Sequence, residues 1–185
     1  MKKQTIIINL FGGPGTGKST AAAAAFGLLK LHGVDCELVT EFAKDLVWED
    51  RQKTMEDQSY ILSKQHHRLW RLIGNVDIIV TDSPLLLSIV YQPDGYLKSF
   101  TNYVVDLFKS YNNLNIFLNR IKEYNPNGRY QTKSEAEDID KLIKKTLNDY
   151  NIPFSEVPGN YTGINTIARK ILGEHMKTVL FSNTI

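Results

Sequence analysis

The sequence predicts an α/β fold in which a parallel sheet is covered by helices on both faces. Three observations carry that expectation. The short apolar runs 5–11 (TIIINLF) and 76–81 (VDIIVT) are rich in β-branched residues and lack clean alternation, as strands buried on both faces do. Longer stretches with helical spacing separate them. The first run also feeds directly into glycines and then an alanine-rich helix. A length of 185 residues suits one domain, 1–185, large enough to bury a core without disulfides or structural metal.

The elements follow in order. After strand 5–11, residues 18–31 are rich in Ala and Leu and read as a helix closed by Gly33. Residues 36–40 form a second short strand. Residues 55–73 place Ile61, Leu62, Leu69 and Leu72 at helical spacing and end at Gly74. Strand 76–81 comes next, then a short helix from Pro84 to Tyr91 and a turn at Gln92-Pro93-Asp94-Gly95. Residues 97–111 read as a helix and 114–118 as a fourth strand. The polar stretch 119–133, centred on Asn125-Pro126-Asn127-Gly128, is a loop. Ser134 and Glu137 have the spacing of a capping box opening a helix to about Tyr150. A fifth strand at 153–157 and a helix at 163–174 complete the chain; residues 177–185 carry no signal.

In such sheets the ligand crevice lies beyond the carboxyl ends of the strands. Gly12-Gly13-Pro14-Gly15-Thr16-Gly17-Lys18-Ser19 stands at the first of these ends and matches G-x-x-x-x-G-K-[ST] in full. Glycines let the backbone wrap a phosphate with successive N–H groups pointing inward. The helix that follows aims its positive end at the same anion. Lys18 reaches the β- and γ-phosphates, Ser19 is placed to ligate Mg²⁺, and Thr20 extends the cradle. The opposing interpretation, a glycine-rich turn without ligand, loses to this strand-then-helix context.

The other strand ends carry acids. Asp82 closes the third strand in the manner of a Walker B carboxylate and is expected to hold Mg²⁺; the plainer alternative is a helix N-cap ahead of Pro84. Glu41, after the second strand, would face the γ-phosphate and accept a proton from an attacking hydroxyl; the alternative is a solvated glutamate. Lys44, Asp45, Glu49, Asp50 and Arg51 nearby read as a solvated mixed-charge face.

The polar loop brings Arg120, Lys122, Arg129 and Lys133 together around glycine and proline. Cations on a hinged segment are suited to a lid over phosphates, with Arg120 and Arg129 placed to stabilise the transferred phosphoryl group. An ordinary exposed loop is the alternative.

Weaker signals read as structural. Gln58, Gln65, Arg68 and Arg71 share one helix and are expected at surface positions of an amphipathic face; the alternative is that glutamine reads an amide or base edge and arginine takes an acceptor phosphate. His66-His67 lacks metal-ligand spacing. Cys36 is a small buried hydrophobe, and Trp48 and Trp70 are core or crevice wall.

Composition narrows the classes. Hydrophobic residues at 42% and charged residues at 23% exclude a disordered or fibrous chain. A net charge of +2 does not by itself indicate nucleic acid or a membrane surface, though it leaves nucleic acid open. The single cysteine fits a cytoplasmic setting, no apolar stretch approaches a membrane span, and the start lacks a signal-peptide pattern. A homodimer remains compatible. The base-reading N-K-x-D and the switch D-x-x-G of GTPases are both missing, and a hexameric motor domain would need a longer chain. A compact kinase, with a second site for a phosphate acceptor, remains.

The assembled motifs resemble the P-loop superfamily of nucleoside and nucleotide kinases. The particular likeness is to the compact ATPase/kinase family that includes nicotinamide-riboside kinase domains and phage-encoded kinase-like proteins. The likeness runs through the phosphate loop, V-T-E-F-A-K, I-V-T-D-S-P and R-I-K-E-Y-N-P-N-G-R-Y, and covers nearly the whole chain. It implies a three-layer P-loop NTPase fold whose five parallel strands run 2-3-1-4-5. It also implies ATP with Mg²⁺ as donor, adenine near residues 158–161, and a small-molecule acceptor. Nucleoside kinases commonly follow the third-strand carboxylate with arginine; here Ser83 stands in that place. The expected activity is transfer of the γ-phosphate to a nucleoside, nucleotide or nicotinamide-riboside-like acceptor. The alternatives are a kinase acting on a modified base in phage DNA and a nucleotide-switched module with ATPase activity.

Overall fold

The computed structural model of the chain describes residues 4–121, 123–125 and 131–182, the side chains of 174–182 excepted. In chain order the elements are β1 (Ile6–Phe11), α1 (Lys18–Leu31), β2 (Cys36–Val39), α2 (Ala43–Trp48), α3 (Gln52–Met55), α4 (Gln58–Trp70) and β3 (Ile78–Thr81). Then come α5 (Leu87–Val90), α6 (Lys98–Lys109), β4 (Asn112–Asn119), α7 (Lys133–Asp149), β5 (Ser155–Pro158) and α8 (Tyr161–Ser182). The five strands form one sheet in the order β2-β3-β1-β4-β5, every pairing parallel. This is the α/β architecture and strand order that the resemblance implied.

The unalternating strands bury both faces. Ile6, Ile8 and Leu10 of β1 join Ala21, Ala22, Ala25 and Leu29 of α1 and Ile167 and Ile171 of α8 on one side. Ile7 and Phe11 join Leu62 and Leu69 of α4, Val104 and Phe108 of α6, and Ile143 and Leu147 of α7 on the other. A small-residue face lets α1 approach the sheet closely. Inside β1, the buried Asn9 is satisfied by the side chains of Asn113 at 2.8 Å and Asn115 at 3.1 Å on the neighbouring strand. Among the described residues, no helix is long and apolar enough to cross a membrane.

The charged stretch after Glu41 is the solvated face that was expected: Lys44, Asp45, Glu49, Asp50 and Arg51 are all exposed, and the short helix α2 that carries part of it is anchored by the buried Leu46. One expectation needs correction. The capping box at the start of α7 is Thr132 with Glu135, two residues earlier than Ser134 with Glu137. The Thr132 hydroxyl accepts from the Glu135 N–H at 3.3 Å, and the Glu135 carboxylate accepts from the Thr132 N–H at 2.6 Å. Of the two places expected for the tryptophans, core or crevice wall, both take the second: Trp48 and Trp70 are 71% and 60% exposed and each lines a cavity.

Candidate functional site

Every strand delivers its carboxyl end to the same edge of the sheet, so β1, β2 and β3 bring the phosphate loop, Glu41 and Asp82 together. The loop needs its glycines. Gly15 at φ 83° and Gly17 at φ 97° occupy the left-handed region, and Gly17 is the cap from which α1 starts. Thr16 ties the turn internally, its hydroxyl donating to the Gly13 carbonyl at 3.0 Å. Lys18 Nζ donates to the carbonyls of Gly12 at 2.7 Å and Gly13 at 3.1 Å. Burial pushes the Lys18 ammonium below its usual range, while Glu41 and Asp82 pull the other way.

A cavity of about 500 Å³ opens against this loop. Pro14, Gly15, Gly17, Lys18, Ser19 and Thr20 line one side of it; Gly12, Gly13 and Thr16 lie buried beneath. Glu41 enters from the end of β2, and burial raises its carboxyl above the ordinary range despite the opposing pull of Lys18. Asp82 is 3% exposed, and its Oδ1 has no hydrogen-bond partner. It does not cap α5, whose N-cap is Leu86. A buried carboxylate oxygen left unpartnered beside a Ser-bearing phosphate loop is a donor set that suits a hard divalent cation.

The far wall comes from α2 to α5: Trp48, Met55, Gln58, Gln65, Ser88 and Tyr91 all face the cavity. Gln58 and Gln65 are buried rather than surface residues. Their spacing of seven, one helix face, was the available signal. Ser88 and Tyr91 had none. Burial raises the Tyr91 hydroxyl well above its usual pKa, so it stays a neutral hydrogen-bonding group. Gln65 binds Phe42 and Thr40, the neighbours of Glu41. Arg68 also serves that turn, donating to Thr40 O at 3.2 Å and pairing with Asp45 at 2.7 Å. His66 hydrogen-bonds Tyr111 at 2.6 Å, away from the cavity, and Arg71 is exposed.

Arg120, expected on a lid, packs against the phosphate loop. Nη1 donates to Pro14 O at 2.8 Å, Nη2 to Ala136 O at 3.2 Å, and the guanidinium pairs with Asp140. Arg129 and Lys122 lie outside the described residues. At the end of β5, Gly159 N–H donates to Asn119 O at 2.9 Å, and a Cβ there would collide with the carbonyls of Thr16 and Asn119. The 158–161 turn, where adenine was expected, thus lies directly against the phosphate loop.

A family model described as an AAA domain matches residues 7–163. Among solved structures, that of deoxyadenosine kinase from M. mycoides with bound dATP aligns with a TM-score of 0.52. The two are 20% identical over 91% of this chain and 98% of that one, a likeness of fold. No curated protein matches.

Proposed function

This chain belongs to the AAA domain family, and from that premise we propose that it is a kinase, moving the γ-phosphate of ATP to a hydroxyl of a neutral, nucleoside-like acceptor. One observation carries the reading. The phosphate loop and Glu41 open into the same walled cavity of about 500 Å³, a volume typical of a small-molecule site. Hydrolysis alone would need no such chamber.

The wall supports the acceptor class. The Gln58 amide and the Ser88 and Tyr91 hydroxyls suit an uncharged polar molecule, and the exposed Trp48 with Met55 offers a face for a flat ring. The lining cations are Lys18 and the rim residue Lys44, with no arginine among the described lining residues. An acceptor that already carried a phosphate would favour an arginine fork. Ser83 at the cavity, rather than arginine, fits the same preference.

In the proposed reaction, the acceptor oxygen forms a bond to the γ-phosphorus as the bond to the β–γ bridging oxygen breaks. The acceptor proton passes to the Glu41 carboxylate, and ADP leaves. Lys18 neutralises charge on the β- and γ-oxygens. Ser19 and Asp82 would hold Mg²⁺, which when bound offsets phosphate charge. Glu41 meets the requirement for a base whose proton affinity is raised towards neutrality by its surroundings.

The test is a screen with γ-labelled ATP against nucleosides, nucleoside monophosphates, nicotinamide riboside and DNA containing modified bases. Label is expected on a neutral nucleoside. Transfer only to monophosphates would overturn the acceptor class. Release of label as inorganic phosphate, indifferent to every acceptor, would favour a nucleotide-switched ATPase instead.

A further inference from the structure

Asp140 lies on α7, more than a hundred residues from the phosphate loop, yet its carboxylate reaches it with both oxygens engaged. Oδ1 accepts the Gly13 N–H at 2.5 Å. Oδ2 accepts from Arg120 Nε at 3.0 Å and Nη2 at 2.9 Å. Arg120 in turn holds the Pro14 carbonyl at 2.8 Å. Both side chains are largely buried, at 17% and 12% exposure.

The peptide joining Gly12 to Gly13 is therefore gripped at two ends. Its N–H is held by Asp140, and its carbonyl accepts from Lys18 Nζ at 2.7 Å. Turning that peptide would move both partners. Only glycine permits this approach: a Cβ at Gly13 would stand 2.7 Å from Asp140 Oδ1 and 2.6 Å from the Ala136 carbonyl. A carboxylate this close to a phosphate site would repel an anion unless neutralised, and Arg120 neutralises it.

We propose that Asp140 is a positioning residue for nucleotide binding: with Arg120 it fixes the Gly12–Gly13 peptide, and through it Lys18. It touches neither ATP nor the acceptor. The inference rests on the nucleotide-binding reading of the loop.

The test uses the full chain and three variants, D140N, D140L and D140E. A fluorescent ATP analogue reports affinity, γ-labelled transfer reports KM and kcat, and thermal melts report folding. D140L is expected to weaken analogue binding by about 10- to 100-fold, the loss of a charge-assisted bond. The KM for ATP should rise in step, with the acceptor KM unchanged. D140N keeps an acceptor for the Gly13 N–H and should recover much of the binding. D140E, one methylene longer, should recover less. Analogue affinity within twofold of wild type in D140L would overturn the proposal. If D140L fails to fold, equal affinity in wild type, D140N and D140E would overturn it as well. A wild type that binds the analogue but phosphorylates no acceptor would sink the kinase reading alone, with the Asp140 effect still read from binding. A wild type that binds no analogue would sink both.

Discussion

The carboxamide of Gln65 brackets Glu41: Oε1 accepts the Phe42 N–H at 2.9 Å, and Nε2 donates to Thr40 O at 3.3 Å. The backbone on either side of the acid is thereby tied to the middle of α4. A buried glutamine serves here as scaffolding for a group that faces the phosphate loop.

Gln65→Leu should therefore act on chemistry as well as stability. It strands the Phe42 amide and should cost about 1–3 kcal/mol of folding free energy. Misplacing Glu41 should also lower kcat, with ATP affinity unchanged. Melting curves and steady-state kinetics on the purified variant check both. An unaltered kcat with a lowered Tm would leave Gln65 a purely structural residue.

Glu41→Gln should depress kcat by about 10²- to 10⁴-fold, the usual effect of losing a general base. In the wild type, kcat should fall on the acid side with a midpoint above the ordinary carboxylate value of 4.5, because burial raises the Glu41 pKa. The variant should lack that limb. The sign for stability follows from the same shift. A raised folded-state pKa means that Glu41 contributes its full stability below pH 4.5 and loses it as pH rises through the folded value. At neutral pH the variant should melt above the wild type, and the gap should close in acid. A pH series of melts measures this directly.

Asp82→Asn should raise the Mg²⁺ concentration needed for half-maximal activity. The carboxylate oxygen Oδ1 has no hydrogen-bond partner to lose, so Tm should not fall. Lys18→Ala should drop transfer by at least about 10²–10³-fold, as removal of a preorganised charge does, while the fold survives. Magnesium titrations of activity separate the two variants: extra metal should rescue Asp82→Asn and leave Lys18→Ala inactive.

Trp48→Ala should weaken the acceptor and leave the donor alone. The side chain is largely exposed, so its removal should shift Tm little. Loss of a stacking face is worth about 1–3 kcal/mol, or roughly 5- to 150-fold in acceptor KM. Unchanged acceptor KM would mean that the ring contributes nothing to recognition.

The nucleotide half of the site was legible in the sequence because it is local: eight consecutive residues and their flanking strand and helix carry it. Glu41 and Asp82 were legible from the strand-end rule. The acceptor wall was not. Whether Gln58 or Gln65 faces solvent or cavity depends on helices that no local pattern positions. The helix α2 escaped notice because six residues with one buried leucine make no periodicity. Thr132–Glu135 and Ser134–Glu137 satisfy the same capping rule, and the choice falls to tertiary packing, which buries Ala136 and turns Asp140 towards Gly13. Asp140 itself stood among Glu135, Glu137 and Asp138 with nothing to mark it.

The exposure of Trp48 also has a spectroscopic consequence. The chain has two tryptophans. Trp48 stands at the cavity, whereas Trp70 stacks on His67 at 6.2 Å in a separate groove between α4 and α6. Replacing Trp70 with phenylalanine would leave one emitter, already wet and therefore red-shifted, at the place where an acceptor would dock. A molecule settling over that indole would shield it from water and move its emission to the blue, whereas ATP alone would not. Acceptors could then be ranked by colour before any of them is phosphorylated.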